Sequence, residues 1–388
     1  METTSNDASV ETGRFCAMTT GVTTQRAVTV ASHRRGLPVI AFNTSLDWRP
    51  QRNQHQLWGV SPGVKAAVVT RYGPPDVVEI RNVPTPVPRH NEVLVKVHAS
   101  TVCYGDRMIR SGPLIVRLMN GIRRPKTSVL GVDLSGTVAA VGKRVTRFAA
   151  GDQVFGSRGD KFGAHAEFAC VAEDGLLAHK PANMTLEDAA AVFVGAACSL
   201  HFLRKARIQP GERVLVHGAS GSLGTFAVQL AKHYGAHVTA VCGTANVDLV
   251  RSLGADQVID YTERDFTRDG AIYDVICDVM AMAGFPRSVR ALKRRGRYLL
   301  VGFPDGALAI ASALLCGLWV HLSGRAVFMA GPAAPVQADL EFLKTLIEAG
   351  RLRSVVGRTY ALRDIAEAHR YADTGHKVGN VVVLITEH

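Results

Sequence analysis

Short runs of apolar residues, separated by glycine and proline, characterise residues 64–180. These runs lie at 64–70, 77–80, 93–97, 130–141, 154–155 and 166–171. Strands of such length, bounded by turn residues, are typical of small barrel-like β domains. The pattern therefore predicts a first domain made mostly of short strands.

Beyond residue 180 the pattern changes to helical runs at 186–197 and 199–206, and then strands alternate with helices. The predicted strands lie at 213–217, 237–242, 257–260, 274–278 and 297–301, and the predicted helices between them at 223–234, 247–253 and 285–292. This alternation predicts a parallel sheet covered by helices on both faces. Helices at 337–349 and 362–371 precede a strand at 380–386, which we expect to rejoin the first domain.

The first 63 residues show no useful helical or strand periodicity and are rich in Thr, Ser, Asn, Gln and Arg. They contain no basic segment followed by an apolar segment of signal-peptide length. Three interpretations stay open: a disordered extension, a start codon assigned upstream of a true start at Val64, and, less well supported, a targeting segment. None of these interpretations assigns a catalytic or binding residue to this segment.

Composition and charge exclude some classes of protein. The chain has 388 residues, of which 47% are hydrophobic, so two domains with real cores are expected. No run of 18 apolar residues occurs, and the nearest candidate, at 307–320, is interpreted as a buried or interface helix. The formal net charge of +12 would attract phosphorylated cofactors, nucleic acid or acidic membranes, without choosing among them.

The seven cysteines are widely spaced. No two stand closer than 28 residues and no C-x-x-C occurs, which excludes zinc ribbons and thioredoxin-like motifs. A disulfide framework is not expected in a chain of this size without a secretory signal. We therefore expect a reducing compartment, the cytoplasm.

A glycine-rich bend is the main functional motif. The strand at 213–217 is followed by Gly218-Ala-Ser-Gly221-Ser-Leu-Gly224 and then by a helix. The glycines allow a sharp turn and close backbone approach, and the helix N-terminus offers free N–H groups to a pyrophosphate. The sequence therefore predicts a dinucleotide-binding site.

The acidic residue that often binds the adenosine ribose about 20 positions further on is missing. The second strand ends at Cys242, and the next carboxylate along the chain is Asp248. Without that acid a ribose 2′-phosphate would not be repelled, and Thr244, Asn246 and Arg251 could donate hydrogen bonds to it. We therefore expect NADPH, with NADH as the alternative.

Several segments together resemble the medium-chain dehydrogenase/reductase superfamily. They are Asp133-Leu-Ser-Gly-Thr-Val-Ala-Ala-Val-Gly142, Gly151-Asp-Gln-Val154, the glycine bend with its strand, Leu253-Gly-Ala-Asp-Gln-Val-Ile-Asp-Tyr261, and Gly375-His-Lys-Val-Gly-Asn380. The resemblance implies an α/β plus β fold: a GroES-like β-barrel catalytic domain at 64–190 and 328–388, with an inserted Rossmann domain, a doubly wound parallel sheet, at 191–327.

Metal ligands decide the branch within this superfamily. Cys103 and Asp106 fit the pattern of zinc-dependent alcohol dehydrogenases, but Val132 stands where those enzymes have a histidine ligand, and Phe193 falls near the third ligand position. Residues 156–168 contain no cysteine of a structural zinc lobe. Because a catalytic zinc needs three protein ligands, the chain resembles the zinc-independent, quinone oxidoreductase-like branch, and no metal is expected.

The resemblance implies a substrate class and a set of site residues. Without a Lewis acid, quinones and α,β-unsaturated carbonyls are favoured because they already accept hydride. Tyr104 is the candidate proton donor, although a packing role is favoured for it, and the pocket is expected to include Cys103, Asp106, Met108 and Val132. The implied cofactor contacts are Ser220, Gly221, Ser222, Leu223, Tyr261, Val301, Gly302, Phe303, Lys377 and Asn380.

Two other functions stay open. One is a zinc-dependent alcohol dehydrogenase, which would use Cys103. The other is a nucleotide-sensing or nucleic-acid-binding relative with weak turnover, which the basic clusters at 293–297 and 123–126 favour slightly. Relatives often form dimers, so a homodimer is also an open outcome.

Overall fold

The computed structural model describes residues 63–280, 285–302 and 307–386. The interpretations of the N-terminal extension concern residues outside these ranges, and so does the cofactor contact expected at Phe303. The strands are β1 Val64–Val69, β2 Val78–Val83, β3 Glu92–Thr101, β4 Asp133–Val141, β5 Gln153–Ser157, β6 Phe168–Ala172, β7 Leu177–His179, β8 Arg213–His217, β9 His237–Cys242, β10 Gln257–Asp260, β11 Tyr273–Asp278, β12 Leu292–Leu300, β13 Ala326–Met329, β14 Val356–Ala361 and β15 Asn380–Leu384.

Helices lie between most of these strands. They are α1 Tyr104–Ser111, α2 Leu114–Asn120, α3 Leu186–Ala190, α4 Phe193–Ala206, α5 Ser222–His233, α6 Val247–Ser252, α7 Phe285–Ser288, α8 Ala307–Leu322, α9 Gln337–Glu348 and α10 Ile365–Asp373. None of the helices in the described ranges is both long and apolar enough to cross a membrane.

A seven-stranded sheet contains β3 to β7 and the last two strands, β14 and β15, whereas β1 and β2 form a separate antiparallel pair. Its order is β14-β15-β3-β4-β5-β7, and β6 pairs with β3. The pairing of β15 with β3 is antiparallel and sets Val382 opposite Thr101. The final strand therefore returns to the first domain, as expected.

The second sheet has six strands, all parallel, in the order β10-β9-β8-β11-β12-β13. This is the Rossmann strand order, in which the direction of winding reverses between β8 and β11. Val214, Leu215 and Val216 are all fully buried, because helices cover both faces of such a sheet. The two sheets confirm the expected α/β plus β fold class.

Helix α4 packs closely against α5 and so fixes the start of α5. A Cβ on Gly195 would lie 2.7 Å from the Phe226 ring, which shows how near the two helices approach. The Ser199 hydroxyl also donates a 2.9 Å hydrogen bond to the carbonyl of Leu223, in the first turn of α5. This packing holds the first turn of α5, and with it the glycine bend, in place.

Some predicted boundaries were wrong. The two helices predicted to meet at Cys198 are instead separated at residues 191–192, and Cys198 lies inside α4. The helix expected over 285–292 is present as a short α-helix at 285–288 continued by a 3₁₀ turn at 289–291, but β12 begins at Leu292 rather than at Arg297. Arg295 has a φ of 62° beside an irregularity in the pairing of β11 with β12, so the basic start of β12 does not follow a strand pattern.

The apolar segment interpreted as a buried or interface helix forms most of α8. Its buried side chains include Val320, but Leu315, Trp319 and Leu322 are exposed. The interpretation as a buried helix is therefore wrong for this face of α8, while the subunit-interface interpretation stays a prediction.

Candidate functional site

The glycine bend lies at the carboxyl end of β8, where the winding of the parallel sheet reverses. Gly218 has a φ of +83°, and its N–H and that of Ala219 both donate to the carbonyl of Val241. A Cβ on Gly224 would lie 2.1 Å from the Gly218 carbonyl oxygen. These two glycines allow α5 to begin directly against the end of its strand.

The N-terminus of α5 is open to a ligand. Gly221 is its N-cap, and among the described residues no side chain caps it. The first N–H groups of a helix have no intrahelical acceptor and carry a partial positive charge. A Cβ on Gly221 would meet only the Gly218 carbonyl oxygen, at 3.6 Å, so the space beside it suits a pyrophosphate. The bend therefore fits a dinucleotide cofactor.

The C-terminal segment, in which Lys377 and Asn380 are expected to contact the cofactor, lies against this bend. The Gly379 N–H donates a 2.8 Å hydrogen bond to the Ser220 carbonyl, and the Ser222 hydroxyl donates a 2.5 Å bond to Asn380 Oδ1. Lys377 lies in the same segment, and its Nζ donates to the Gly379 carbonyl at 3.1 Å. The cofactor bend is thereby joined to the strand that completes the other sheet.

The structure groups the residues expected at the adenosine end around the end of β9. Cys242 is buried, and its carbonyl accepts the N–H of Tyr261 at 3.1 Å. The Thr244 hydroxyl lies 3.2 Å from that of Thr262. Asn246 is the N-cap of α6. Arg251 is exposed and pairs with Asp248 at 3.4 Å.

A carboxylate that the sequence reasoning missed stands beside Cys242. Asp260 is paired with Cys242 across β10 and β9. Its Oδ1 accepts the N–H and hydroxyl of Thr262 at 2.9 and 2.8 Å, and hydrogen bonds from Thr244 and then Thr262 lower its pKa. The acid sought at the end of β9 is thus on the neighbouring strand. Its position just before Tyr261, at a strand end, was the available signal.

On the substrate side, Asp106 holds the start of α1 in place. Its side chain is buried, and its two oxygens accept the N–H groups of Cys103 at 2.9 Å and Gly131 at 2.7 Å. Tyr104 and Met108 lie on α1, and Val132 follows Gly131. The structure therefore brings Cys103, Asp106 and Val132 together and gives Asp106 a positioning role.

Asp133, at the start of β4, is a buried carboxyl group that sequence reasoning did not assign. Thr101 donates a 2.7 Å hydrogen bond to its Oδ2, whereas Oδ1 has no hydrogen-bond partner among the described residues. Burial, and after it the charge of Asp106, raises the pKa of Asp133 to about 8, against the lowering effect of Thr101. The only sequence signal was its place at the end of the triplet Gly131-Val132-Asp133.

Two neighbouring groups share this environment. Loss of solvent around the ammonium lowers the pKa of Lys377 to about 8, and the charges of Cys103 and Asp133 act in the opposite direction. Burial, followed by Asp106 and Asp133, raises the pKa of the Cys103 thiol well above its usual range. Asp133 and Lys377 are therefore two interacting groups that titrate near neutral pH. No group of three His, Cys, Asp or Glu side chains able to hold a metal ion occurs within the described ranges.

Asp278, at the end of β11, contacts residues at the ends of the neighbouring strands β8 and β12. The His217 imidazole Nδ1 lies 2.9 Å from its Oδ1, and the Tyr298 hydroxyl donates to Oδ2 at 2.5 Å. The N–H groups of Val301 and Gly302 donate to the carbonyl of Asp278. The segment expected near the nicotinamide is therefore held in place by contacts with β8, β11 and β12. These contacts join residues that are distant in the sequence, so they become visible only in the fold.

The basic cluster at 293–297 lies at the start of β12, whereas the glycine bend follows the carboxyl end of β8 in the same parallel sheet. The basic cluster is therefore at the amino-terminal end of the parallel strands, opposite the end that carries the glycine bend. Lys293 pairs with Asp274 at 2.8 Å and Arg297 pairs with Glu212, so acidic neighbours compensate part of its charge.

Comparisons with known proteins agree with this arrangement. The family model described as alcohol dehydrogenase GroES-like domain matches residues 89–182, and that described as zinc-binding dehydrogenase matches residues 253–383. The mitochondrial NAD(P)H oxidoreductase RTN4IP1 of Mus musculus is 33% identical over 361 residues, covering 82% of this chain and 89% of its own length. The quinone oxidoreductase of Sus scrofa is 32% identical over 324 residues, covering 79% of this chain and 93% of its own length.

A solved structure shows the same fold. The quinone oxidoreductase from Coxiella burnetii superposes with a TM-score of 0.73 at 28% sequence identity, covering 83% of this chain and 99% of that one. Similarity therefore extends over both sheets and over nearly the whole length of these relatives. The chain belongs to the medium-chain dehydrogenase/reductase superfamily, in its quinone oxidoreductase-like branch.

Proposed function

We propose that this NAD(P)H-dependent oxidoreductase transfers a hydride from NADPH to a quinone or an α,β-unsaturated carbonyl without a metal ion. The observation that carries the proposal is the open N-terminus of α5, with space beside Gly221 and the segment of Asn380 bonded to Ser222. Relatives named quinone oxidoreductase and NADPH-dependent alkenal/one oxidoreductase support the substrate class.

The residues at the metal-ligand positions support a reaction without zinc. Val132 offers no ligand atom, and Phe193 is a buried residue of α4. Cys103 is then the only residue at these three positions with a ligand atom, and one ligand does not make a catalytic zinc site. The site therefore selects substrates that need no Lewis acid.

When bound, the nicotinamide cofactor supplies the hydride, and the chain supplies binding, orientation and a proton. The N–H groups of Ser222 and Leu223 would hold the pyrophosphate. Reduction of an enone adds a hydride to one carbon and a proton to the resulting enolate. We assign that proton to the pair of Asp133 and Lys377, because Asp133 Oδ1 has no hydrogen-bond partner among the described residues and burial brings the pKa of each group to about 8. Tyr104 is the competing donor.

The preference for NADPH over NADH is part of the proposal. Arg251 is exposed on α6 and Thr244 follows the end of β9 by two residues, and we assign both to a 2′-phosphate. Asp260 acts in the other direction, since a carboxylate favours free ribose hydroxyls. Its oxygen Oδ1 is already occupied by Thr262.

The proposed domain division is 64–190 with 328–388 for the catalytic domain and 191–327 for the cofactor domain. Strand membership supports it, although β13 continues to Met329. The proposed location is the cytoplasm; the six described cysteines are free thiols, which fits any reducing compartment. Relatives named as mitochondrial make the mitochondrion the location to test against, by cell fractionation.

The test is oxidation of NADPH by a small naphthoquinone and by an enone, with metal analysis of the same purified protein. We expect turnover with both acceptors and no stoichiometric zinc. Turnover that requires zinc would indicate the alcohol dehydrogenase alternative. Cofactor binding without turnover across the panel would indicate the nucleotide sensor.

The proton assignment has its own test, in which enone reduction is compared for Asp133→Asn, Lys377→Met and Tyr104→Phe. Loss of a general acid typically costs about 10²–10⁴-fold in rate. We expect that loss for the first two variants, and we expect Tyr104→Phe to retain most activity. The effect should be smaller with a quinone, whose reduced oxygens are protonated by solvent. A large loss in Tyr104→Phe alone would reassign the donor.

A further inference from the structure

Helix α2 displays apolar side chains to solvent. Its sequence is Leu-Ile-Val-Arg-Leu-Met-Asn, and none of its residues is buried. Leu114 is 75% exposed and Leu118 is 64% exposed, and Ile122 in the following loop is 68% exposed. A cluster of apolar surface of this kind marks an interaction site rather than ordinary surface scatter.

Polar contacts hold this helix in place. The Tyr72 hydroxyl donates a 2.7 Å hydrogen bond to the carbonyl of Gly121, at the C-terminal end of α2. Arg117 Nε donates a 2.6 Å bond to the carbonyl of Gly112, and its guanidinium lies 4.8 Å from the centre of the Tyr72 ring. The apolar side chains are thus exposed from an anchored element.

The surroundings of α2 are basic. Residues 107–132 contain no Asp or Glu and six Lys or Arg, of which Arg107 and Arg110 pair with Asp373. Among these, Arg123, Arg124 and Lys126 are exposed in the loop after α2. Apolar side chains flanked by basic ones match the boundary between acyl chains and anionic headgroups of a membrane.

We propose that α2 and the loop after it, residues 113–126, dock on an anionic lipid surface. A second copy of the chain is disfavoured, because a two-fold interface would set Arg123 and Arg124 of each copy against like charges. Nucleic acid would neutralise the charges but would leave Leu114 and Leu118 without an apolar partner. Protruding apolar side chains enter a fluid acyl phase without needing a matching pocket.

Docking has a consequence for substrate access. Helix α2 follows α1, which begins beside Cys103 and contains Tyr104 and Met108. A lipid surface at α2 would therefore lie near the proposed pocket and would favour quinones with apolar tails. This consequence rests on the proposed function, whereas the docking itself does not.

The test is co-sedimentation of the full-length protein with vesicles, in the absence of cofactor and substrate. One set contains phosphatidylcholine alone, and the other contains phosphatidylcholine with phosphatidylglycerol, at about 0.1 M salt. We expect binding to the anionic vesicles that weakens as salt is raised. Leu114→Glu with Leu118→Glu should raise the lipid concentration for half binding by about tenfold or more, and so should Arg123→Glu with Arg124→Glu.

The control is Val87→Glu, because Val87 is also exposed, at 59%, but lies outside this patch. It should bind vesicles as the unchanged protein does, and all variants should keep the thermal midpoint and the reduction of a water-soluble quinone. A milder pair, Leu114→Ser with Leu118→Ser, replaces the Glu pair if that pair fails to fold.

Three outcomes would overturn the proposal. They are equal sedimentation with and without anionic vesicles, unchanged binding by both Leu pairs, and a dimer of the unchanged protein that the Leu pairs convert to monomer. Since vesicle binding is measured without turnover, its failure leaves the proposed reductase activity standing, and the reverse also holds.

Discussion

Asn380 accepts a 2.5 Å hydrogen bond from the hydroxyl of Ser222, although the two residues are 158 positions apart in the chain. Both side chains are buried. The Asn380 amide also donates to the Val355 carbonyl at 3.3 Å, so the side chain is fixed on both sides. The first turn of α5 is therefore positioned by the final strand of the other sheet.

Replacing Asn380 by Ala should weaken cofactor binding, because Ser222 loses its acceptor and the first turn of α5 loses its support. A lost buried hydrogen bond costs about 1–3 kcal/mol, so we expect a comparable fall in the free energy of unfolding. NADPH affinity, measured by fluorescence titration, should fall about tenfold or less. Asn91→Ala, at an exposed position, is the control. Unchanged affinity would mean that this contact is unimportant for the cofactor.

Two glycines of the bend should respond in opposite ways to alanine. Gly221 has φ −79° and ψ 174°, which alanine adopts freely, and its Cβ would lie in the space proposed for the pyrophosphate. Gly221→Ala should keep or slightly raise the thermal midpoint while lowering NADPH affinity about tenfold or more. In Gly224→Ala the Cβ meets the Gly218 carbonyl, so the thermal midpoint itself should fall. Full NADPH affinity in a folded Gly221→Ala protein would argue against the proposed site.

The buried Asp133 should make stability depend on pH. The pKa of Asp133 is raised from 3.8 to about 8 in the folded protein. The stability that this carboxyl group contributes is therefore fully present below pH 3.8 and is lost as pH rises through 8. A tenfold change in proton affinity between the folded and unfolded states corresponds to about 1.4 kcal/mol. The pKa of about 8 already includes the attraction to Lys377, and we expect a loss on the order of a few kcal/mol.

Chemical denaturation of Asp133→Asn across this window measures the effect. Because asparagine cannot ionise, the free energy of unfolding of the variant should rise relative to that of the unchanged protein between pH 5 and pH 8. The raised pKa of Asp133 sets this window. Asp174→Asn, at an exposed position, should show no such gain. Parallel curves for Asp133→Asn and the unchanged protein would contradict a raised pKa.

Arg251 should distinguish the two nicotinamide cofactors. Arg251→Ala removes a cation from α6, which would weaken attraction to a 2′-phosphate and leave NADH unaffected. For an exposed charge the expected rise in the KM for NADPH is about three- to tenfold. Steady-state kinetics with both cofactors measure it, with Arg144→Ala, an exposed residue after β4 in the other sheet, as the control. Equal effects on NADPH and NADH would assign Arg251 a structural role.

The buried parallel strands were readable from the sequence because their apolar runs are continuous. The predicted strands at 213–217, 237–242 and 257–260 coincide with β8, β9 and β10. Helix α2 was missed because its apolar residues are exposed rather than confined to one face that packs on the core. The start of β12 was missed because Arg295 interrupts the strand pattern with a left-handed backbone.

The candidate site was only partly readable, because several of its contacts join distant segments. The glycine bend and Asn380 could be identified from local motifs. Asp133 and Asp260 could not be assigned, since their roles depend on what lies opposite them: Thr101 in one case and Cys242 in the other. Hydrogen bonds and burial of this kind have no local sequence pattern.

The return of β15 to β3 also sets an order for biosynthesis. The six parallel strands are complete once Met329 has left the ribosome, whereas residues 99–101 of β3 must wait until β15 has been synthesised. Until then that part of β3 is an unpaired edge, which is prone to associate with other chains. A nascent chain stalled before residue 380 would therefore expose an aggregation-prone end of β3. It would also lack Asn380, which positions the first turn of α5.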